Sequence, residues 1–360
     1  MSHSTEILQI LDLARWAPSG DNTQPWQFQI AGADHVIVHA FDTRDHCVYD
    51  LDGHPSQISM GAMLETAAIA ATAHGLQLDA QRRIASPEHR PVFDLRFSPA
   101  PGIAPDPLIP FIERRSVQRR PLRTQPLLDA QRDALERAVG SRHQVLWRAS
   151  FGNRLQMARM LFHSAKLRLI LPEAYEVHRA IIQWEARFST DRVPDQALGA
   201  DALTTRLMRF AMHSWGRIEF MNRFLAGTVA PRIQLDFIPG LACAAHFVIQ
   251  SKSEPQGIDD YVAAGRAMQR FWLTATSLGL QAQPEVTPLV FARYAREGRT
   301  FSKLASAAGY AKEIEARVED LLGATVARSA VFMGRVGHGP AASARSLRRP
   351  LRELMLPADQ

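Results

Sequence analysis

Two stretches of this chain, 204 residues apart, read as copies of one unit. "GAMLETAAIAATAHGLQLDA" begins at Gly61 and "GRAMQRFWLTATSLGLQAQP" at Gly265; six of their twenty positions are identical, including Gly-Leu-Gln after the helical pattern. A repeat of this length constrains the fold more than any single motif, because each copy buries an apolar face only against another. Between the copies lies "FSPAPGIAPDPLIP" (97–110), with five prolines in fourteen residues. No helix or central strand survives that density. The expectation is therefore an α+β fold of two related halves, residues 1–100 and 111–360, joined by a stiff linker at 101–110.

The pattern along the chain fills in the halves. Ile7, Leu8, Leu11 and Ala14 mark an amphipathic helix over 5–16, which Pro18 ends. "WQFQI" and "VIVHAF" alternate as a hairpin across "AGADH". A helix over 59–76 follows, stopped by Gly75, and "VFDLRF" (92–97) reads as a strand. Past the linker the pattern is helical to about residue 226. A strand at 244–250, a helix at 258–278, a loop "QAQPEVTPL", a helix near 302–322 and a strand at 329–336 complete the reading.

Composition excludes several classes. Cys47 and Cys243 lack CxxC spacing, so neither a disulfide framework nor a zinc site is expected, and a reducing cytoplasm fits. The opening residues carry Glu6 and Asp12 without a basic run, unlike a signal peptide. The apolar run "FIPGLACAAHFVI" (237–249) is too short and interrupted to span a bilayer. "GHGPAA" (337–342) leaves no room for the βαβ unit that a dinucleotide fingerprint needs. His35 and His39 lie about 13 Å apart on a strand, too far for one metal. HExxH, GxSxG and Walker A sequences are absent.

The net charge is +6, and the arginines cluster in "ERRSVQRRPLR" (113–123) and "ARSLRRPLRE" (344–353). A charge run is commonly a solvated face, and a basic face can bind nucleic acid. Two stiff, proline-bearing runs can also converge on one phosphate. The turn "APSGDNTQPW" (17–26) raises a parallel question. Its prolines, Gly20, Asp21 and Asn22 suit a helix stop. Ser19, Gln24 and Trp26 in the same rigid stretch suit a loop that meets the edge of a planar ligand.

Taken together, "APSGDNTQPW", "RRSVQ" (114–118), "GLQAQPEVT" (279–287) and "RSLRRPL" (345–351) resemble the FMN-dependent nitroreductases. Members of that family are homodimers whose flavin is held by the Arg-x-Ser segment of one subunit and the Pro-Ser-x-x-Asn turn of the other. Here the turn is in the first half and the Arg-x-Ser segment in the second, as in the single-chain, tandem (Acg-like) branch. The resemblance implies a nitroreductase-like fold, mixed or antiparallel central sheets flanked by helices, and an intramolecular pseudo-dimer. It implies one FMN per chain, NAD(P)H as co-substrate and a small acceptor such as a nitroaromatic or quinone. A monomer is expected, with a swapped dimer as the alternative.

By the same resemblance, Arg114 and Arg348 should hold the phosphate, with Arg345 or Arg349 assisting. Arg115 and Ser116 should contact the cofactor, Pro18, Ser19 and Gly20 should line the ring edge, and Asn22 should pin that turn. The turn after Pro284 should offer an amide of Val286 or Thr287 to flavin N5. Gln118 stands where the family has Lys or Arg, so Arg119 or Arg120 becomes the candidate cation, and Asn153 and Gln156 correspond to a further flavin contact. No side chain need be catalytic. The segment 189–226 is either a lid or added packing. If it closes the site, the protein is a flavin-holding or storage protein and not a reductase.

Overall fold

The computed structural model describes residues 4–225 and 227–357; the outermost residues of the two predicted halves and position 226 of the predicted insert lie outside the described residues. The first half runs α1 (Ser4–Ala14), β1 (Trp26–Ile30), β2 (His35–Ala40), α2 (His54–Ala71), β3 (Leu76–Arg82) and β4 (Val92–Pro99). The second opens with α3 (Asp129–Ala138) and β5 (His143–Arg148). Four helices of ten residues or more follow: α4 (Phe151–Ile170), α5 (Pro172–Ile181), α6 (Ala202–Ala211) and α7 (Trp215–Phe224). Then come β6 (Ala245–Ser251), α8 (Ile258–Ser277), β7 (Leu280–Pro284), α9 (Thr287–Arg296), α10 (Ala307–Leu322) and β8 (Ala330–His338).

The fold is α+β, and the repeat extends to topology. One sheet has the order β1-β2-β4-β3 and the other β5-β6-β8-β7, with every pairing in both antiparallel. Helices α2 and α8 hold the same place in each unit and cross each other. A Cβ on Gly61 would lie 2.0 Å from the Val262 carbonyl oxygen, and one on Gly265 would lie 2.0 Å from that of Ile58. The pair of contacts is related by the same 204-residue offset as the repeat, so the two glycines let the backbones touch about a local two-fold.

Fourteen of the eighteen residues of α2 are buried. A helix that is small and apolar all round belongs inside. Its buried Thr66 Oγ1 donates to the Ala62 carbonyl and accepts from Gln269 Nε2 of α8. A second core lies under α4, α5, α9 and α10, against the other face of the second sheet. Among the described residues, no helix is long and apolar enough to cross a membrane.

Several elements differ from the sequence reading, each for a local reason. Helix α2 starts at His54, five residues earlier than expected, because Pro55 occupies its first turn, where its missing N–H costs nothing. The same rule starts helix α9 at Thr287, with Pro288 in its first turn, inside the loop expected over 281–289, whose first residues instead form β7. Strand β3 and edge strand β5 were missed because polar or half-exposed side chains dilute their apolar alternation. The proline-rich stretch begins inside β4, which reaches Pro99. Leu108 and Ile112 then pack with Ile69 and Leu273 beside the α2–α8 crossing. His35 binds Asp94 and His39 binds Gln29, both at 2.7 Å. Cys47 and Cys243 are free and buried.

Candidate functional site

A cavity of about 330 Å³ lies where the halves meet, walled by the turn after α1, the start of α2, the segment before α3, α8, the start of α9 and the C-terminal segment. Two extended segments deliver the arginines. Residues 115–118 run beside β7, with a Val117–Ala282 bridge and Gln118 N–H donating to the Ala282 carbonyl. The C-terminal segment crosses to the first sheet, where Met355 bridges Phe28.

The turn is strained and clamped. Asp21, Asn22 and Gln24 all have positive φ, at 51°, 63° and 52°. Such conformations cost about 1–2 kcal/mol each, less for Asp and Asn, and persist where surroundings impose them. Here Ser19 Oγ accepts the Gln24 N–H at 2.9 Å. Gln24 Nε2 donates to the carbonyls of Asn22 and Thr190, and its Oε1 accepts the Arg349 N–H. Asn22 Oδ1 accepts from Arg348 Nη1 at 2.9 Å, and its Nδ2 donates to the Arg192 carbonyl. Gln24 and Trp26 are therefore buried braces, not exposed ligand contacts. Gly20 does not supply the unusual φ, and a Cβ there would meet nothing within 4 Å, so neither backbone conformation nor packing within the chain requires glycine at this place.

Three arginines gather at one end. Arg348 Nε donates to the Ala17 carbonyl, Arg345 Nη2 to the Glu113 carbonyl, and Arg115 Nη2 to the Trp16 carbonyl. Arg115 also stacks 4.4 Å from the Trp272 ring centre. Among the described residues none of the three has a carboxylate partner. Burial, then the charge of neighbouring arginines, depresses Arg348 to about 9 and Arg115 well below its usual range, while burial lowers Arg345 against the opposing charge of Glu113. The Nε atoms of Arg115 and Arg345 are buried without an acceptor. Buried cations without a counter-charge are costly, and an anion in the cavity relieves that cost.

Eleven of the fourteen residues expected at a cofactor site line this cavity: Pro18, Ser19, Gly20, Asn22, Arg115, Ser116, Pro284, Val286, Thr287, Arg345 and Arg348. Arg114, Gln118 and Arg349 do not line it. Arg114 closes a turn, is exposed, and lies over Phe111; its neighbour Arg115 takes the wall. Gln118 is turned away, donating to the Pro340 carbonyl at 2.9 Å, and Arg119 faces the cavity in its stead. Arg349 contributes backbone, its carbonyl accepting from Arg15. Asn153 and Gln156 lie outside the cavity: Asn153 N–H is capped by Ser150 Oγ, and Gln156 Oε1 accepts from Arg148.

Asp21, His54, Arg168 and Trp272 also line the cavity and were not expected. Trp272 was visible only as part of an amphipathic helix, and no spacing in the sequence ties Arg168 to the turn. The predicted insert divides. Val193 and Ala197 form cavity wall, and the strand pair Phe188–Ser189 with Arg345–Ser346 holds that wall in place. Helices α6 and α7 bury none of their residues.

Beside the cavity, Glu285 Oε2 meets His246 Nδ1 at 2.8 Å and Glu285 Oε1 meets Arg335 Nη1 at 2.7 Å, all buried. Burial opposes the charged imidazole, but Glu285 and Cys243 together outweigh it and lift His246 to about 10. Arg335 Nη2 donates to the Arg119 carbonyl, so this network fixes the segment that carries Arg119.

No family model matches the chain, and no curated protein matches it. Among solved structures it is similar to a nitroreductase-like family protein from Bacillus cereus, at 12% identity and TM-score 0.36, over 70% of this chain and 96% of that one. It is similar to a nitroreductase with bound FMN from Bacteroides fragilis, at 10% identity and TM-score 0.34, over 65% and 89% of the two chains. It is also similar to the FMN-dependent nitroreductase NfnB from Mycobacterium smegmatis in complex with NADPH, at 14% identity and TM-score 0.34, over 68% and 94%. Scores this low assign no chemistry to this chain.

Proposed function

We propose that the chain is an FMN-dependent oxidoreductase of the tandem nitroreductase kind, holding one FMN between its halves. One observation carries the reading: three arginines without carboxylate partners converge, from two distant runs, on one end of a cavity that the motif-bearing turn also lines. A phosphate carries the charge they lack, and the guanidinium fork suits its oxygens.

In this reading Arg115, Arg345 and Arg348 hold the phosphate. The turn at Pro18–Asn22 and the start of α9 at Val286 and Thr287 border the ring, and Arg119 replaces the cation missing at Gln118. When bound, FMN supplies two-electron chemistry between NAD(P)H and a small acceptor such as a nitroaromatic or quinone. The chain binds, orients and excludes water. Its clamped turn keeps the ring edge in register, and Val193 and Ala197 cover one side. Four of the nine arginines in the two runs, Arg115, Arg119, Arg345 and Arg348, line the cavity, so part of their charge serves a small anion and not a nucleic acid. Because both walls come from one chain, a monomer with one site follows, with division into halves at the 101–110 linker; unpaired cysteines fit a cytoplasmic setting.

The 189–197 wall also suits a protein that holds flavin without turning it over. The visible spectrum of freshly purified protein tests the cofactor, with one FMN per chain expected. Bleaching on anaerobic addition of NAD(P)H supports the reductase; bound flavin that never bleaches supports the storage role. A colourless protein that takes up no added FMN overturns both.

A further inference from the structure

Nine of the fifteen large apolar side chains left exposed among the described residues fall within residues 203–238, a tenth of the chain. Two helices carry most of them. Leu203, Leu207 and Phe210 recur at i, i+4 and i+7 along α6, and Phe220 and Phe224 at i and i+4 along α7, with their rings 5.1 Å apart. Residues at that spacing share a face. It is the outer face: the half-buried side of α6 includes Thr204, Thr205 and Met208, so the larger apolar side chains point to solvent. A surface helix ordinarily does the reverse.

Both helices are held in that orientation. Each starts with its own cap, Asp201 Oδ1 accepting the Thr204 N–H at 2.8 Å and Ser214 Oγ the Arg217 N–H at 3.4 Å. Asn222 Nδ2 donates to the Leu169 carbonyl of α4, and the Trp215 ring lies 5.6 Å from the Tyr175 ring of α5. No residue of α6 or α7 lines the main cavity. Arginines interleave with the apolar residues: Arg206, Arg209, Arg217 and Arg223 are exposed, against one acid on the two helices, Glu219. Arg209 is paired with Glu185; the other three have no carboxylate partner among the described residues. Arg217 reaches from α7 to 4.4 Å from the Phe210 ring centre, which joins the two helices into one surface.

We propose that α6 and α7 form a docking face for an anionic lipid surface, lying in its plane with the leucines and phenylalanines at the headgroup boundary and the arginines on lipid phosphates. An apolar ridge edged with basic residues is the pattern of an interfacial helix, and arginine can rest its stem on the ridge while its charge reaches the headgroups. Ten residues of helix rise about 15 Å, half of a bilayer core, so the chain lies on the membrane and does not cross it. A second copy is the poorer occupant, because an isologous contact would set the same arginines against each other in a chain of net charge +6. A nucleic acid would meet the arginines and leave the leucines in water.

Sedimentation of the full chain with sucrose-loaded vesicles tests this, comparing phosphatidylcholine alone with an equal mixture of phosphatidylcholine and phosphatidylglycerol. The chain should sediment with the mixed vesicles in about 0.1 M salt and be released in about 1 M, where the Debye length shrinks from about 10 Å to about 3 Å. Arg206→Gln should weaken binding about fivefold, and Arg206→Gln with Arg223→Gln about 25-fold. Phe210→Ser with Phe224→Ser should weaken it about tenfold or more. Arg96→Gln, which removes an exposed charge from the first sheet, should leave it unchanged. Melting temperatures should match the parent's, since every substituted side chain is exposed. No sedimentation with the mixed vesicles, or sedimentation that neither double variant weakens, would overturn the proposal. A loss from Arg96→Gln as large as that from Arg206→Gln would also overturn it, by showing attraction to net charge alone. A dimer in light scattering that the phenylalanine pair dissociates would give the face to a second copy instead.

Discussion

The two halves share a strand order but not a content. Where they meet at α2 and α8, the likeness is strict: each glycine admits the other helix's backbone at the same distance. Away from that crossing they diverge. The first half links β1 directly to β2, whereas the second places α4 to α7 between the corresponding strands β5 and β6. The first supplies a strained turn and the second supplies arginines. Symmetric packing has been kept where two backbones touch and cannot be varied singly. The ends of the sheets are free to specialise, which leaves one complete cavity where a symmetric pair would have two.

The crossing is where the comparison can be broken most severely. Gly61→Ala and Gly265→Ala each put a methyl 2.0 Å from a carbonyl oxygen, backbone that cannot turn aside. Each should cost about 3 kcal/mol or more, at the upper end of overpacking. Urea unfolding followed by circular dichroism reads it. Because the local two-fold relates the contacts, the two losses should agree within about 1 kcal/mol. A large inequality would mean that the symmetry is only topological.

The arginine ends sharpen the other side of the comparison. Arg348→Ala and Arg115→Ala should each weaken FMN binding by roughly 1.5–3 kcal/mol, or about 10- to 150-fold. Arg114→Ala should leave it unchanged, since Arg114 is exposed and outside the cavity. Flavin fluorescence titration measures all three. A loss at Arg114 equal to that at Arg115 would restore the sequence-based assignment.

Much of this was legible in advance, and the exceptions share a cause. The repeated helices and most of the residues that line the cavity were visible in the sequence because glycine, proline and arginine act through backbone or charge, which sequence displays directly. The reading named both Arg114 and Arg115, and only Arg115 lines the cavity, because side-chain direction depends on where a turn ends, here an Arg115 N–H to Phe111 carbonyl bond. It missed Arg168 because it sits on a helix whose pattern is set by core packing. Nothing local links it to a turn more than 140 residues earlier. Gln24 was assigned to a ligand because its burial comes from Arg349 and Thr190, both distant in sequence.

The buried Glu285–His246–Arg335 network belongs only to the second half, so it should give the protein a pH dependence that the first sheet does not share. His246 is raised to about 10 in the folded protein from an ordinary value near 6.5. A raised folded value means that its contribution is complete below about pH 6.5 and is lost as pH climbs towards 10. Glu285 is shifted down, so its contribution holds above its ordinary range and is lost in acid. Urea midpoints should therefore fall between pH 7 and 10, and His246→Gln should flatten that fall while lowering stability at pH 7. An unchanged alkaline slope in the variant would show that the imidazole is not the group responsible.

The smallest expected effect is at Gly20, and it separates fold from site within the first half. Its φ lies outside the left-handed region, unlike those of Asp21, Asn22 and Gln24, and a Cβ there would meet nothing within 4 Å. Gly20→Ala should therefore leave folding stability within about 0.5 kcal/mol of the parent, as surface changes do. The space it fills faces the cavity, where the turn borders the proposed ring. A methyl there displaces the ring edge or forces the turn back against Ser59, whose hydroxyl accepts the Gly20 N–H at 3.4 Å. FMN affinity should drop about threefold to tenfold while the melting temperature of the flavin-free chain holds. Equal affinity in the two proteins would place the ring away from this turn, and a drop in flavin-free stability would make Gly20 part of the fold and not of the site.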